Sequence, residues 1–360
     1  MKHWIVVFIL IATIAIAAES TKPYLVGAHY YAWYSKASWK KVAGEPLVKH
    51  YHSMDDDVIA QHLKWASQYG IDFFAVEWSG QNTFGDQAIY KHFAAAPDFK
   101  NIKFCIAYDT LSRFRRYEKP PFNFSHERVR DGLVSDFDYL SKRYFSNPNY
   151  LKFQGRPVVW FYIARAMQGD WVKALELARE AARKNGFEVY IDGDLLQMSR
   201  IDPRRFPYFD AVSLYTLMER KPFEQLGVRT TGDVANIAQD LFTRWAELVP
   251  RYKSRSTGKP LAFHPVITPQ FMKMHGEFTS PYFLGSEGEF RRMVDIAKST
   301  ATFDEFAGTR IVWITSWNEW YEGSAIEPTQ DGPSLDRNYG FKLLETIRDV
   351  FGSTEASPAQ

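Results

Sequence analysis

Glu319 and Glu322 lie three residues apart in Ser316-Trp317-Asn318-Glu319-Trp320-Tyr321-Glu322-Gly323. Carboxylates are costly to bury without partners, so packing alone does not favour two of them among three aromatic rings. One carboxyl that gives up a proton, beside a second that accepts one or attacks, is the equipment of glycosidic bond cleavage. Aromatic rings suit the C–H faces of sugars, and tyrosines and carboxylates suit their hydroxyls. The bland alternative is a solvated strand-end loop with helix-capping charges. It leaves unexplained why Asn318, both glutamates and three aromatics converge on six residues, Trp317 to Glu322.

These residues need a frame. Ile311-Val312-Trp313-Ile314-Thr315 is apolar and β-branched, the composition of a strand buried on both faces, and the motif begins where that strand surfaces. Seven similar runs precede it. The sequence predicts strands over Tyr24–Tyr30, Ile71–Trp78, Ile102–Tyr108, Pro157–Ile163, Phe187–Asp192, Phe209–Tyr215 and Leu261–Ile267, with Ile311–Ser316 the eighth. Amphipathic stretches fall between them. Asp55-Asp56-Asp57 opens a helix that Gly70 is placed to close. Further helices are expected over Arg128–Phe145, Trp171–Lys184, Asp233–Tyr252, Glu287–Lys298 and Tyr339–Phe351. Strands alternating with helices imply parallel βαβ units, and eight units in one chain fit a single (β/α)8 TIM barrel. A doubly wound open sheet fits less well, because no Gly-rich phosphate loop follows the first strand. No linker divides the chain. The expected division is a signal peptide over 1–18, one barrel domain over 19–351 and a polar tail over 352–360.

A barrel of this kind carries its active site where the strands end. The first strand ends at His29, Tyr30, Tyr31 and Trp33, the second at Glu77 and Trp78, the third at Tyr108 and Asp109. The fourth ends at Tyr162 and Arg165, the fifth at Asp192 and Asp194, the sixth at Tyr215, the seventh near His264. The candidate catalytic pair is Glu319 and Glu322. Candidate substrate contacts are Tyr30, Tyr31, Trp33, Glu77, Trp78, Asp109, Tyr162, Tyr215, Asn318 and Trp320. Taken singly, Trp78 and Tyr162 are as well suited to a core, and Asp192 to a helix cap.

Other chemistries have less support. No HExxH, GxSxG or GxxxxGK[ST] pattern occurs, and His50-Tyr51-His52 reads as a solvated loop rather than a metal site. Gly285-Ser286-Glu287-Gly288 reads as a helix start. No metal or cofactor is called for. The 360 residues carry a net charge of +2 and no basic run interleaved with aromatics, which leaves no case for nucleic acid. Lys2 and His3 precede an apolar run, Trp4 to Ala18, that is short for a membrane span and contains Ala15-Ile16-Ala17, a small-x-small cleavage pattern. A secreted or periplasmic protein without stable membrane insertion is expected; an uncleaved anchor is the alternative. The single cysteine, Cys105, sits in an apolar run and reads as a small buried hydrophobe.

The octapeptide Ser316–Gly323, with Ile326-Glu327-Pro328 behind it, resembles the signature of glycoside hydrolase family 99, retaining endo-acting α-mannosidases and α-mannanases on a (β/α)8 barrel. His29-Tyr30-Tyr31-Ala32-Trp33-Tyr34 resembles that family's first strand, Asp55 to Trp78 its first helix and second strand, and Phe161-Tyr162-Ile163 its fourth strand. The resemblance implies that Glu322 is the general acid and Glu319 the general base. It further implies that the base deprotonates a sugar 2-hydroxyl, which closes a 1,2-anhydro sugar that water then opens with retention. Tyr162, Tyr215 and Tyr30 or Tyr31 match tyrosines of the family's cleft. Asp109 stands where that family has a sugar-binding glutamate, one methylene longer, and Tyr321 where histidine is usual. A similar WNEWxEG motif occurs in family-99-like proteins described as glycosyltransferases of polysaccharide gene clusters. A glycosyl-transferring enzyme on the same barrel, or a carbohydrate-binding protein that has lost activity, are therefore the other readings. The partner expected in each case is an oligo- or polysaccharide.

Overall fold

The computed structural model describes residues 22–352 apart from 43, 98, 100, 101, 273–280, 284 and 333–337. The expected signal peptide and all but the first residue of the expected tail lie outside them. Eight strands form the central sheet: β1 Tyr24–Tyr30, β2 Phe73–Trp78, β3 Lys103–Asp109, β4 Arg156–Tyr162, β5 Tyr190–Asp194, β6 Ala211–Ser213, β7 with its parts Ala262–His264 and Val266–Ile267, and β8 Thr309–Ile314. All pair in parallel in the order β7-β6-β5-β4-β3-β2-β1-β8. The divided strand closes the ring. Ala262–His264 pairs with β6 and Val266–Ile267 pairs with β8. Pro265 has no N–H to offer a ladder, so the strand changes neighbour at that residue. Its carbonyl still accepts from Trp313 N at 2.9 Å. The eight apolar runs therefore form the TIM barrel that their alternation with helices predicts.

Helices α1 Asp56–Gln68, α2 Phe84–Lys91, α3 Thr110–Phe114, α4 Glu127–Arg143, α5 Trp171–Lys184, α6 Arg220–Leu226, α7 Thr231–Leu248, α8 Glu287–Thr300 and α9 Lys342–Phe351 accompany the ring. Asp55 caps α1 by accepting from Asp57 N and Val58 N. Gly70 turns the chain out of that helix at φ +82°, a conformation that favours glycine. Ser286 and Glu289 form a capping box on α8, as the Gly-Ser-Glu-Gly stretch implies. Helix α7 begins at Thr231, two residues before the expected start, because Thr230 caps it by accepting from Asp233 N. Three short helices were not expected from sequence. α2 carries a glycine, Gly85, in its first turn, and α3 and α6 are too short to show an apolar period.

The barrel interior is aromatic and polar together. His29 stacks on Trp313, ring centroids 5.1 Å apart, and Trp160 lies 4.2 Å from His29. Trp313 Nε1 donates to Asp192 Oδ2 at 2.9 Å, and His264 Nδ1 lies 2.8 Å from the same oxygen. Burial disfavours the His264 cation, but the Asp192 and Asp304 carboxylates prevail and raise its pKa to about 9. Gly27 on β1 leaves room for Phe73, whose ring would lie 2.3 Å from an added Cβ. Cys105 is buried on β3.

Candidate active site

Strand alternation decides which side chains enter the barrel mouth. Side chains i and i+2 share a face of a strand. His29 and Tyr31, Ala75 and Glu77, Ala107 and Asp109, and Trp160 and Tyr162 all line one cleft at the C-terminal ends of β1, β2, β3 and β4. Tyr215 follows β6, and Glu319 and Glu322 follow β8 into the same cleft. It encloses about 640 Å³, part of it open to solvent. Leu111 and Ser112, from the first turn of α3, and Trp33 complete its walls.

The strand-8 motif is folded by its own polar groups. Trp317 N donates to His29 O at 2.8 Å, extending the β1–β8 pairing by one bond. Ser316 N donates to Ser324 O at 2.9 Å and Ser324 N to Glu319 O at 3.2 Å, so the loop closes on itself. Gly323, at φ +61°, makes the turn. Ser316 Oγ accepts from Glu319 N at 2.7 Å, and Glu319 Oε1 accepts from Tyr321 N at 2.9 Å. Glu322 faces the tyrosines. Tyr31 OH donates to Tyr215 OH at 2.6 Å, and Tyr215 OH donates to Glu322 Oε2 at 3.1 Å. Thr315 Oγ1 donates to Tyr215 O at 2.6 Å and fixes the tyrosine's backbone.

The electrostatics differ from what the sequence suggests. Trp320 and Tyr321 precede Glu322, which points to an apolar, proton-holding Glu322 and an ionised Glu319. Burial falls on Glu319 instead: it is 3% exposed, and Glu322 is half-buried. Burial first, and the Glu322 charge second, push the Glu319 carboxyl well above the usual range. Across the cleft, burial and then the Asp109 charge raise Glu77 to about 8. Burial also raises Asp109, although Ser112 N donates to its Oδ1 at 3.0 Å. His29 is lowered by burial to about 3 and is neutral.

The cleft brings together Tyr31, Trp33, Glu77, Asp109, Tyr162, Tyr215, Glu319 and Glu322 of the expected set. Three expected contacts, Trp78, Asn318 and Trp320, are corrected, while Tyr30 lines the cleft with its hydroxyl turned away. Trp78 is next to Glu77 and so points outward, fully buried, where Nε1 donates to Asp86 Oδ1 at 2.7 Å. Tyr30 touches the cleft but sends its hydroxyl outward to His62 Nδ1, 3.1 Å away. Asn318 and Trp320 are buried behind the wall. Asn318 Oδ1 accepts from Tyr31 N at 2.7 Å, and Trp320 Nε1 donates to Glu327 Oε2 at 2.9 Å. Tyr321 also leaves the cleft, its hydroxyl donating to Ser38 O. Arg165 pairs with Asp194, and His264 lies in the barrel interior, so neither lines the cleft. His29, Ala75, Ala107, Leu111, Ser112 and Trp160 line it without having been singled out as contacts. Counting two residues back along each strand from Tyr31, Glu77, Asp109 and Tyr162 identifies His29, Ala75, Ala107 and Trp160. Leu111 and Ser112, on an unforeseen helical turn, carried no signal.

Solved structures share the (β/α)8 barrel. A glycoside hydrolase-like protein superposes with TM-score 0.69 at 21% identity, over 96% of this chain and 98% of that one. The GH99 endo-alpha-mannosidase from Bacteroides thetaiotaomicron superposes with TM-score 0.62 at 18% identity in its BIS-TRIS-propane complex, over 91% of this chain and 97% of that one. At these identities the likeness is one of fold. The chain belongs to the family described as Glycosyltransferase WbsX, matched over residues 44–345. It is also 23% identical over 308 residues to the uncharacterized protein WxcX of Xanthomonas campestris pv. campestris strain B100, covering 82% of this chain. The chain spans 41% of the length of that relative.

Proposed function

We propose that the protein is a retaining, endo-acting glycoside hydrolase that cleaves α-mannosidic or related α-linked glycans outside the cytoplasm. The observation that carries this reading is the cleft lining. Among the described residues it presents four carboxylates and four tyrosines, and neither lysine nor arginine. Such a wall suits sugar hydroxyls and a transition state that develops positive charge at the anomeric carbon. Among the described residues that line it, no cationic side chain is offered to the diphosphate of a sugar-nucleotide donor. The family's description as a glycosyltransferase favours a second reading, transfer of a sugar on the same barrel.

In the mechanism implied by the family-99 resemblance, Glu319 takes the 2-hydroxyl proton and Glu322 protonates the departing oxygen. Burial favours the protonated form of Glu319. Two interacting carboxyls titrate as a pair, and a hydrogen bond to the charged form favours that form. A sugar 2-hydroxyl donating to Glu319 therefore favours its carboxylate. Incubation of purified protein with a panel of α-mannans and other α-linked polysaccharides tests the reading. Released oligosaccharides of retained anomeric configuration are expected. Product formed solely when a sugar donor is added overturns it in favour of transfer.

A further inference from the structure

Behind the cleft lies a carboxylate that the chemistry above does not use. Glu327 is fully buried, its side chain bonded to Tyr51, His62 and Trp320 and its backbone carbonyl accepting from Tyr339 OH. Its Oε2 accepts from Tyr51 OH at 2.9 Å and from Trp320 Nε1 at 2.9 Å. Its Oε1 lies 2.9 Å from His62 Nε2, and His62 Nδ1 lies 3.1 Å from Tyr30 OH. The set closes when Nε2–H donates to Glu327 and Nδ1 accepts the Tyr30 hydroxyl proton, so every donor has an acceptor. A carboxylate without solvent is held by its donors, and losing any of them is costly.

We propose that Glu327 is the positioning residue of the catalytic pair, holding Glu319 and Glu322 through two separate hydrogen-bonded routes. The first runs through Trp320, which follows Glu319 directly and stands two residues before Glu322. Its backbone N donates to Tyr34 OH at 3.0 Å, and Tyr34 OH donates to Asn318 O at 2.7 Å. The second runs through Tyr51, whose hydroxyl accepts from Asn318 Nδ2 at 3.0 Å. Asn318 grips the Tyr31 backbone from both sides, accepting from its N at 2.7 Å and donating to its O at 3.0 Å. Tyr31 in turn reaches Glu322 through Tyr215. The first route sets the backbone between the glutamates; the second sets the tyrosine that faces the outer one. A point of convergence seven residues beyond Trp320 thus fixes both reacting groups without touching substrate. The role rests on the hydrolase reading, and the experiment separates the two.

Glu327→Gln keeps the shape and removes the charge; Tyr51→Phe removes the single hydroxyl that links Glu327 to Asn318. Both variants, with wild type, are measured on the glycan that the polysaccharide panel identifies and by the Trp320 indole N–H resonance in protein carrying ¹⁵N-tryptophan, assigned with Trp320→Phe. For Glu327→Gln, kcat is expected to fall about 100-fold, since misplacing reacting groups by about 1 Å costs that much, with KM changed less than about threefold. Tyr51→Phe is expected to lose roughly tenfold in kcat at unchanged KM. The Trp320 resonance should move in Glu327→Gln. A folded Glu327→Gln with wild-type kcat, or with the Trp320 resonance in place, overturns the proposal, as does a Tyr51→Phe enzyme of wild-type kcat if Glu327→Gln does not fold. If wild type cleaves no glycan, the hydrolase reading fails while the indole resonance still decides the positioning role.

Discussion

The two acidic walls of the cleft are built differently. On the β8 side, Glu319 and Glu322 ride a loop whose backbone is bonded to Ser316, Ser324, Tyr34 and His29. On the facing side, Glu77 and Asp109 sit at the ends of adjacent strands, and Glu77 is two residues along β2 from an alanine. One wall is set by hydrogen bonds that reach far behind the surface. The other is set by strand register, and burial raises carboxyls on both, Glu319 on the first and Glu77 and Asp109 on the second. The contrast teaches that carboxylates of like appearance in a sequence divide by what stands behind them: a fixed pair suits proton transfer, a titrating pair suits grip on a ligand.

The comparison breaks first at the fixed pair. Glu319→Gln should abolish turnover on every substrate, because no leaving group replaces a missing base. Glu322→Gln should slow natural glycosides by about 10²–10⁴ while sparing aryl glycosides with acidic leaving groups. Equal loss on such an aryl glycoside in both variants, or its rescue of Glu319→Gln alone, reverses the roles. The titrating wall offers a finer test. Glu77 keeps its proton until about pH 8, so Glu77→Gln imitates its neutral form. Below pH 7 KM should stay within about threefold of wild type. Above pH 8 the wild type should bind roughly tenfold more weakly than the variant, as its second charge on that wall appears. Steady-state KM measured from pH 6 to 9 checks it.

Stability should follow the same groups. Glu77 carries a raised acid pKa, so it binds more protons folded than unfolded, and its contribution is lost as pH rises from 4.5 to about 8. His264 is raised from 6.5 to about 9; its contribution is complete below pH 6.5 and lost as pH climbs through 9. Both signs agree, and thermal melts should fall by several degrees between pH 6.5 and 9. The smallest effect is expected at Trp78. Trp78→Phe loses the bond to Asp86 and some packing, lowering stability by roughly 1–2 kcal/mol. It should leave KM within about twofold, because the ring faces away from the cleft; a large rise in KM would return Trp78 to the binding surface.

How far the sequence carries depends on what each residue answers to. The Trp171–Lys184 helix matches its predicted bounds residue for residue, and the barrel follows from eight apolar runs, because burial writes a period into the chain. The cleft was legible as a set of strand ends but not as a set of faces. Glu77 and Trp78 are neighbours of equal promise in sequence, and the pleat alone sends one inward and the other out. The proton preference of Glu319 was hidden too, since its burial follows from the tertiary fold and no neighbouring residue in the sequence announces it.

The division of β7 at Pro265 has a consequence for the time dependence of the fold. A ring closed by two short half-strands has a preferred place to open, since each half contributes few ladder bonds. Amide exchange should therefore be fastest, among the eight strands, at Val266 and Ile267, and slowest along β2 and β3, whose pairing runs over six residues. The same seam leads by way of Phe271–Met272 to the carbonyl of Glu322, which accepts from Met272 N at 2.5 Å. The seam of the barrel wall and the backbone of Glu322 are thereby joined by one hydrogen bond.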